Sequence, residues 1–195
     1  MYLITGLGNP GKEYEDTRHN LGFEVIGRLA LEHGAVLKTD RKFKAKAARV
    51  ELEKEQAVLL APQTFMNLSG QAVKAAADYY KIPPEKIVLV YDDIDLEEGQ
   101  VRIKVGGGSA GHKGVDSVIE HLKTRDFVRV RIGAGRPEKK EAAEHVLSKL
   151  AEGKKEIFSC ASAAAALAVT QIISSGAQAA MNKHNGILAN ADGPL

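Results

Sequence analysis

The chain has 195 residues, 44% hydrophobic and 27% charged, a balance that excludes a disordered or membrane-dominated protein and a length that suits one domain over residues 1–195. No apolar run reaches bilayer length and "MYLITGLGNPG" lacks the basic start and cleavage site of a signal peptide, so a cytoplasmic protein with no membrane partner is expected. The net charge of +2 hides two opposed patches, "KTDRKFKAKAAR" (38–49) with six basic residues against one acid and "DDIDLEE" (92–98) with five acids in seven, so one face can still hold an anion. The single cysteine, Cys160, can form no internal disulfide and reads as a small packed residue.

In chain order, "YLITGL" is an apolar strand ending in glycine, and "LGFEVIGRLALEHG" repeats apolar positions at helical spacing. "FKAKAARVEL" alternates as a strand and "QAVLLAPQ" is a buried type of strand ended by Pro62. Ser69 is placed to cap a helix "GQAVKAAADYYK" that Pro83 and Pro84 close. "KIVLVYDD" is an apolar strand finishing in carboxylates. "QVRIKV", the loop "GGGSAGH", a helix "GVDSVIEHLK" and a strand "VRVRIGAG" follow. From Glu141 to about His184 the chain reads as helical, with a weaker tail. The stretch around "PEKKEAAEHVLSK", taken as 138–150, is the candidate for a mobile flap. Strands alternating with helices predict an α/β fold, a three-layer α/β/α sandwich. Two strands without a helix between them over 35–61 make the central sheet mixed, though mostly parallel.

In such sheets ligands gather where strands end in loops that lead to helices. Four polar loops occupy such positions, at 8–20, 63–69, 91–95 and 106–114, and should meet at one site. "GLGNPG" has the G-x-G-x-x-G spacing, but no helix starts at once and no acid follows at the distance that would hold a ribose. "GGGSAGHKG" lacks the Gly-Lys-Ser/Thr ending of a phosphate loop, and the six histidines show no metal-ligand spacing. No cofactor and no metal are therefore expected. What remains is Asn9, His19, Asn67, Asp92 and His112. A histidine takes a proton from water near neutral pH, a carboxylate fixes its tautomer, and asparagine amides hold water, a carbonyl or an oxyanion. Such a set supports hydrolysis without a covalent intermediate, and no G-x-S-x-G elbow argues for a serine nucleophile. Each residue also has a plain structural reading: Asn9 as a turn former before Pro10, Asn67 closing the "FMNLSG" turn, Asp92 as one solvated acid among several, His112 as a helix-start residue. It is their convergence that favours chemistry.

Taken together, "GLGNPGKEYEDTRHNLGF", "PQTFMNLSGQAV", "VYDDIDLEEGQVRIKVGGGSAGHKGVDSVIEHL" and "VRVRIGAGRP" resemble, in order, the motifs of bacterial-type peptidyl-tRNA hydrolases. "AMNKHNG" resembles the end of that family's final helix. The resemblance implies one α/β/α domain, acting as a monomer, that hydrolyses the ester joining a peptide to the terminal ribose of tRNA without a cofactor. It makes His19 the general base and Asp92 its orienting partner. Asn9, Tyr14, Phe65, Met66, Asn67, His112 and Lys113 become substrate-binding residues, with Met66 on the groove floor and His112 near the 3′ end of the RNA. Lys113 departs from the "GHNG" common in the family, and we expect its ammonium to support RNA binding instead. Alternation in "VRIKV" and "VRVRI" puts Arg102 with Lys104, and Arg129 with Arg131, on one side of each strand. Arg102 and Arg129 read as a solvated face, whereas the resemblance points to Lys104 and Arg131 as a clamp for the 5′ phosphate of tRNA. An RNA-binding relative without turnover is the alternative of another class.

Overall fold

The computed structural model describes residues 1–137 and 141–185. Residues 138–140 of the expected flap, and the tail from 186, lie outside the described residues. Seven strands, β1 (Tyr2–Gly6), β2 (Lys38–Asp40), β3 (Ala45–Leu52), β4 (Glu55–Pro62), β5 (Ile87–Asp93), β6 (Val101–Val105) and β7 (Val128–Gly133), form one sheet in the order β2-β3-β4-β1-β5-β7-β6. The central strands β4, β1, β5 and β7 are parallel, and β3 and β6 run against their neighbours. The sheet is thus mixed, with its two reversed strands toward the edges. β3 and β4 are joined through Glu53 and Lys54, both at positive φ (49° and 65°), the left-handed pair that matches strand twist in a tight hairpin. β2 is a short edge strand that the periodicity does not announce.

Helices cover both faces: α1 (Leu21–Glu32), α2 (Ser69–Tyr80), α3 (Lys113–Leu122), α4 (Ala142–Leu147) and α5 (Lys155–His184). Successive side chains of a strand point to opposite faces, so Ile4, Val88, Val90 and Val130 pack with α1 and α5 while Leu3, Leu89 and Tyr91 pack with α2 and α3. β5 is buried along its whole length, which is why "IVLVY" reads as one continuous apolar run.

Four expectations are corrected. Ser69 is the first residue inside α2 and makes no capping bond; its hydroxyl is buried without a protein partner. α2 ends because Lys81 turns left-handed (φ 54°), before the prolines are reached. The last quarter is not continuous helix, since extended backbone at Ser148 and Ala151 separates α4 from α5 and Gly176 (φ 84°, ψ 162°) kinks α5. The segment Glu152–His184 is also long and apolar enough to cross a bilayer, contrary to the expectation from apolar runs. Its alanine-rich composition has another use here: Phe158, Ala161, Ala165, Val169 and Ile172 are buried in the core that α1 shares.

One close approach positions the functional end of the sheet. A Cβ on Gly6, at the end of β1, would collide with the carbonyl oxygen of Gly22 in α1. A Cβ on Gly22 would sit 2.5 Å from backbone atoms of Leu7 and Val90. Only glycine at both positions lets α1 rest on the sheet backbone. The chain just before α1 is thereby brought against the carboxyl ends of β1 and β5.

Candidate active site

All four polar loops meet around one cavity of about 550 Å³, lined by Asn9 and His19 from the first, Phe65 to Asn67 from the second, Asp92 to Ile94 from the third and Ser109 to Lys113 from the fourth. The fifth wall is α4, through Ala142, Ala143, Val146 and Leu147. A cavity of this size takes a small organic ligand rather than a folded partner. α4 falls in the segment that the sequence reads both as helix and as a candidate flap; the apolar positions of "AAEHVL" were the available signal for a packed wall.

His19 sits on the 3-10 turn Arg18–Asn20 that leads into α1, and its Nδ1 lies 2.8 and 3.0 Å from the two carboxylate oxygens of Asp92. Asp92 is 2% exposed. Burial opposes its ionisation, yet the charge of His19 and hydrogen bonds from His112 and His19 outweigh that and hold its carboxyl well below the ordinary range. An ionised carboxylate only accepts, so His19 Nδ1 carries the hydrogen, and in the neutral imidazole Nε2 is the nitrogen with the lone pair. His112 is arranged the other way round. It caps α3, its Nδ1 accepting from the backbone N–H of Gly114 and Val115 at 3.2 and 3.3 Å, and its Nε2 donates to Asp92 at 3.2 Å. One carboxylate thus orients two histidines in opposite tautomers, and only His19 retains a free nitrogen able to accept a proton. The three groups offer donor atoms within 4.8 Å of one another, close enough for a metal ion, but an ion there would have to replace the hydrogens they already share.

Asn9 is fixed with similar economy. Its Oδ1 accepts from Met66 N–H at 2.8 Å, and its backbone N–H and carbonyl are both bonded by the Asn20 amide, at 2.8 and 3.0 Å. The amide oxygen being held, Nδ2 is left to donate to a ligand. Met66 forms floor (5% exposed), while Phe65 (58%) stands on the rim. Asn67 and Lys113 also line the rim and are exposed. Tyr14 does not line the cavity; it closes the preceding turn by accepting from Thr17.

Lys104 and Arg131 lie beyond the cavity lining. Across the β6–β7 ladder Lys104 faces Arg129 and Arg102 faces Arg131, so all four project from one side. Arg131 Nε already donates to Asp93 at 2.6 Å. Arg102 is exposed as expected, but Arg129 is not: it is 1% exposed and donates to the carbonyls of Gly107 and Gly108. Alternation misplaces it because the glycine loop folds back over β7 and covers the face that period-two reasoning assigns to solvent.

Arg18, Asn20 and Glu98 also serve the site, though no sequence motif marks them. Arg18 is buried and bonds Glu98 at 3.1 Å; Glu98 also pairs with Lys154 at 2.5 Å. Burial opposes ionisation of Glu98, but Lys154 and Arg18 together hold its carboxyl below the ordinary range. A bridge between Thr17 and Lys149, and a bond from Leu150 N–H to the carbonyl of Asp16, join the same two regions. The turn bearing His19 is therefore knitted to the segment that follows α4.

A model of the peptidyl-tRNA hydrolase family matches residues 3–192. The chain belongs to the peptidyl-tRNA hydrolase family. It is 48% identical over 186 residues to the peptidyl-tRNA hydrolase of Caldanaerobacter subterraneus subsp. tengcongensis, covering 95% of this chain and 100% of that one. It is 43% identical over 189 residues to that of Clostridium novyi, covering 97% and 100%. Among solved structures it is similar to peptidyl-tRNA hydrolase from Acinetobacter baumannii, at 38% identity and a TM-score of 0.91 over 97% of each chain. The α/β fold with its mixed sheet is the family's fold, as the sequence motifs imply.

Proposed function

We propose that the chain hydrolyses the ester between a peptide and the 3′-terminal ribose of tRNA, with His19 as general base, Asp92 as its orienting partner, and the amides of Asn9 and Asn67 holding the reacting ester. The observation that carries this reading is the His19 Nδ1–Asp92 bond at 2.8 Å, which leaves Nε2 as a base beside the free amide hydrogens of Asn9. Nε2 takes a proton from water as the water oxygen attacks the ester carbon. Asp92 stabilises the imidazolium that forms, and amide hydrogens meet the oxyanion of the tetrahedral intermediate. The proton then passes to the ribose oxygen as the ester bond breaks, releasing peptide carboxylate and tRNA for reuse.

His112 lacks a free lone pair, so its role is to hold Asp92 and shape the groove rather than move a proton. Phe65, Met66 and Lys113 bind the substrate's acyl and terminal nucleotide portions, and Lys104 with Arg131 takes the 5′ phosphate, a contact that adds affinity without base specificity. The protein acts as a cytoplasmic monomer without cofactor. Tyr14 is assigned no direct contact. Its turn supports the loop that carries His19.

The deciding experiment is single-turnover cleavage of N-acetylaminoacyl-tRNA beside unblocked aminoacyl-tRNA, by the native protein and by His19→Ala. Fast release from the blocked ester alone, abolished in the variant, is expected. Tight tRNA binding without cleavage by the native protein would replace the reading with a non-catalytic RNA-binding relative.

A further inference from the structure

The basic stretch 38–49 takes no part in the cavity, yet it is not a loose charged surface. Asp40, its one acid, has its Oδ1 occupied by the backbone N–H groups of Lys42 and Phe43 at 2.9 and 3.4 Å, an Asx turn that sets the loop between β2 and β3. Phe43 is 1% exposed and wedged against the rings of Tyr79 and Tyr80 at the end of α2. Lys44 is held left-handed (φ 50°), its carbonyl accepts from Gln63 N–H at 2.7 Å, and its ammonium donates to Gln71. A non-glycine residue kept in that conformation shows that the surroundings determine the turn.

What this rigid turn presents is positive charge. Lys38, Arg41, Lys42, Lys44 and Lys46 are exposed, and none of them has a carboxylate partner among the described residues. Lys42 lies 3.7 Å from the ring centroid of Tyr79, whose side is 55% open to solvent, a cation and an aromatic surface combined as in single-strand and backbone readers. The β2–β3–β4 ribbon is also polarised. Most of its cations gather where Ala45 meets Pro62, the end that feeds the cavity loop, whereas at the opposite end Lys54 is outnumbered by Glu51, Glu53 and Glu55. Lysines that merely blunt a sheet edge have no reason to collect at one end of it.

We propose that this turn, with Arg41, Lys42 and Lys46 as its principal cations and Tyr79 beside them, is a second tRNA-contact surface that binds the sugar-phosphate backbone away from the 3′ terminus. The inference rests on tRNA being the substrate carrier. In the sheet order it lies at the β2–β3 edge, across the cavity from Lys104 and Arg131 on β6 and β7, so the two basic groups bracket the site.

The test compares the native protein with Arg41→Gln/Lys42→Gln/Lys46→Gln on full-length N-acetylaminoacyl-tRNA and on a short 3′-terminal fragment carrying the same ester. Lys44 is left alone because its carbonyl and ammonium hold the loop. The expected result is a roughly tenfold rise in KM for full-length tRNA with kcat unchanged, and no change for the fragment. The slope of log(kcat/KM) against log[salt] should flatten by about 0.9 for each lost phosphate contact. Arg41→Glu/Lys42→Glu should deepen the effect. An unchanged KM for full-length tRNA would return the patch to edge protection, or to an acidic protein partner, and overturn the proposal. Equal losses on both substrates would trace the effect to the cavity and overturn it as well. Binding of deacylated tRNA, followed directly for native and variant proteins, reads the patch even if neither protein cleaves the ester, which separates this proposal from the catalytic one.

Discussion

On the floor of the cavity, Asn9, Met66 and Asp92 are each less than a tenth exposed, and each is tied by hydrogen bonds to another chain segment. On the rim, Phe65 and Lys113 are exposed, and among the described residues no such ties hold their side chains. A buried polar group without a partner is costly, so the floor had to be built as a closed network in which every tautomer and amide orientation follows from its neighbours. The rim carries no such demand and is free to vary. The difference teaches where chemistry and recognition should separate: floor substitutions should act on kcat, rim substitutions on KM.

The largest break of that contrast is His19→Ala. It should lower kcat by about 10²- to 10⁴-fold, or roughly 3 to 5 kcal/mol of barrier, with KM nearly unmoved and a lower thermal midpoint, because buried Asp92 loses a hydrogen-bond partner; a large KM effect would place His19 with the rim. Asp92→Asn comes next, on the order of 10² in kcat, because an amide facing two imidazoles must present a donor to one of them. Asn9→Ala should lose up to about 10² in kcat, and Asn20→Ala, which only removes the brace on Asn9, should lose less. Steady-state rates on one substrate order all four.

Acid unfolding gives a second way to sharpen the contrast. Asp92 and Glu98 ionise more readily in the folded chain than at their ordinary values of 3.8 and 4.5, so the unfolded chain takes up protons first as pH falls. Their contribution to stability is therefore whole above the ordinary carboxylate range and drains as pH drops below it toward the depressed folded values. Asp92→Asn and Glu98→Gln should each flatten thermal midpoint against pH in that window. A rim variant such as Phe65→Ala should leave the curve's shape intact. The smallest effect belongs to Lys113→Asn: a few-fold rise in KM for tRNA substrates, lessened by salt, with kcat constant. Altered turnover with KM and its salt dependence unchanged would show that Lys113 does not serve RNA binding.

Much of this architecture is legible in the sequence because it is written in short-range patterns. Continuous apolar runs mark strands buried on both faces, and polar loops at strand ends mark the cavity. What escaped notice depends on partners far along the chain. Arg18 and Glu98 are 80 positions apart, and no local pattern joins them. Arg129 reads as solvated until the loop of Gly107 and Gly108 is seen to close over it. The tautomer of His112 was hidden for a different reason, since it follows from two backbone N–H groups whose direction exists only once α3 has formed. Tyr14 is a case of another kind. It lies within a motif that carries His19, yet nearness in sequence does not bring it to the cavity.

The contact of Gly6 with Gly22 has a consequence for motion. Because α1 is seated on the sheet by main chain against main chain, there is no side chain between them whose rotamer could loosen the joint. The turn bearing His19 must move with the sheet as one body. α4, by contrast, is attached through His145, whose Nε2 donates to the carbonyl of Ala134 at 2.9 Å, and through the Thr17–Lys149 bridge and the Leu150–Asp16 bond just beyond its end. Hydrogen exchange should report this split: slow for the amide of Leu7, which donates to the carbonyl of Val90 at 2.9 Å beneath Gly22, and faster along α4.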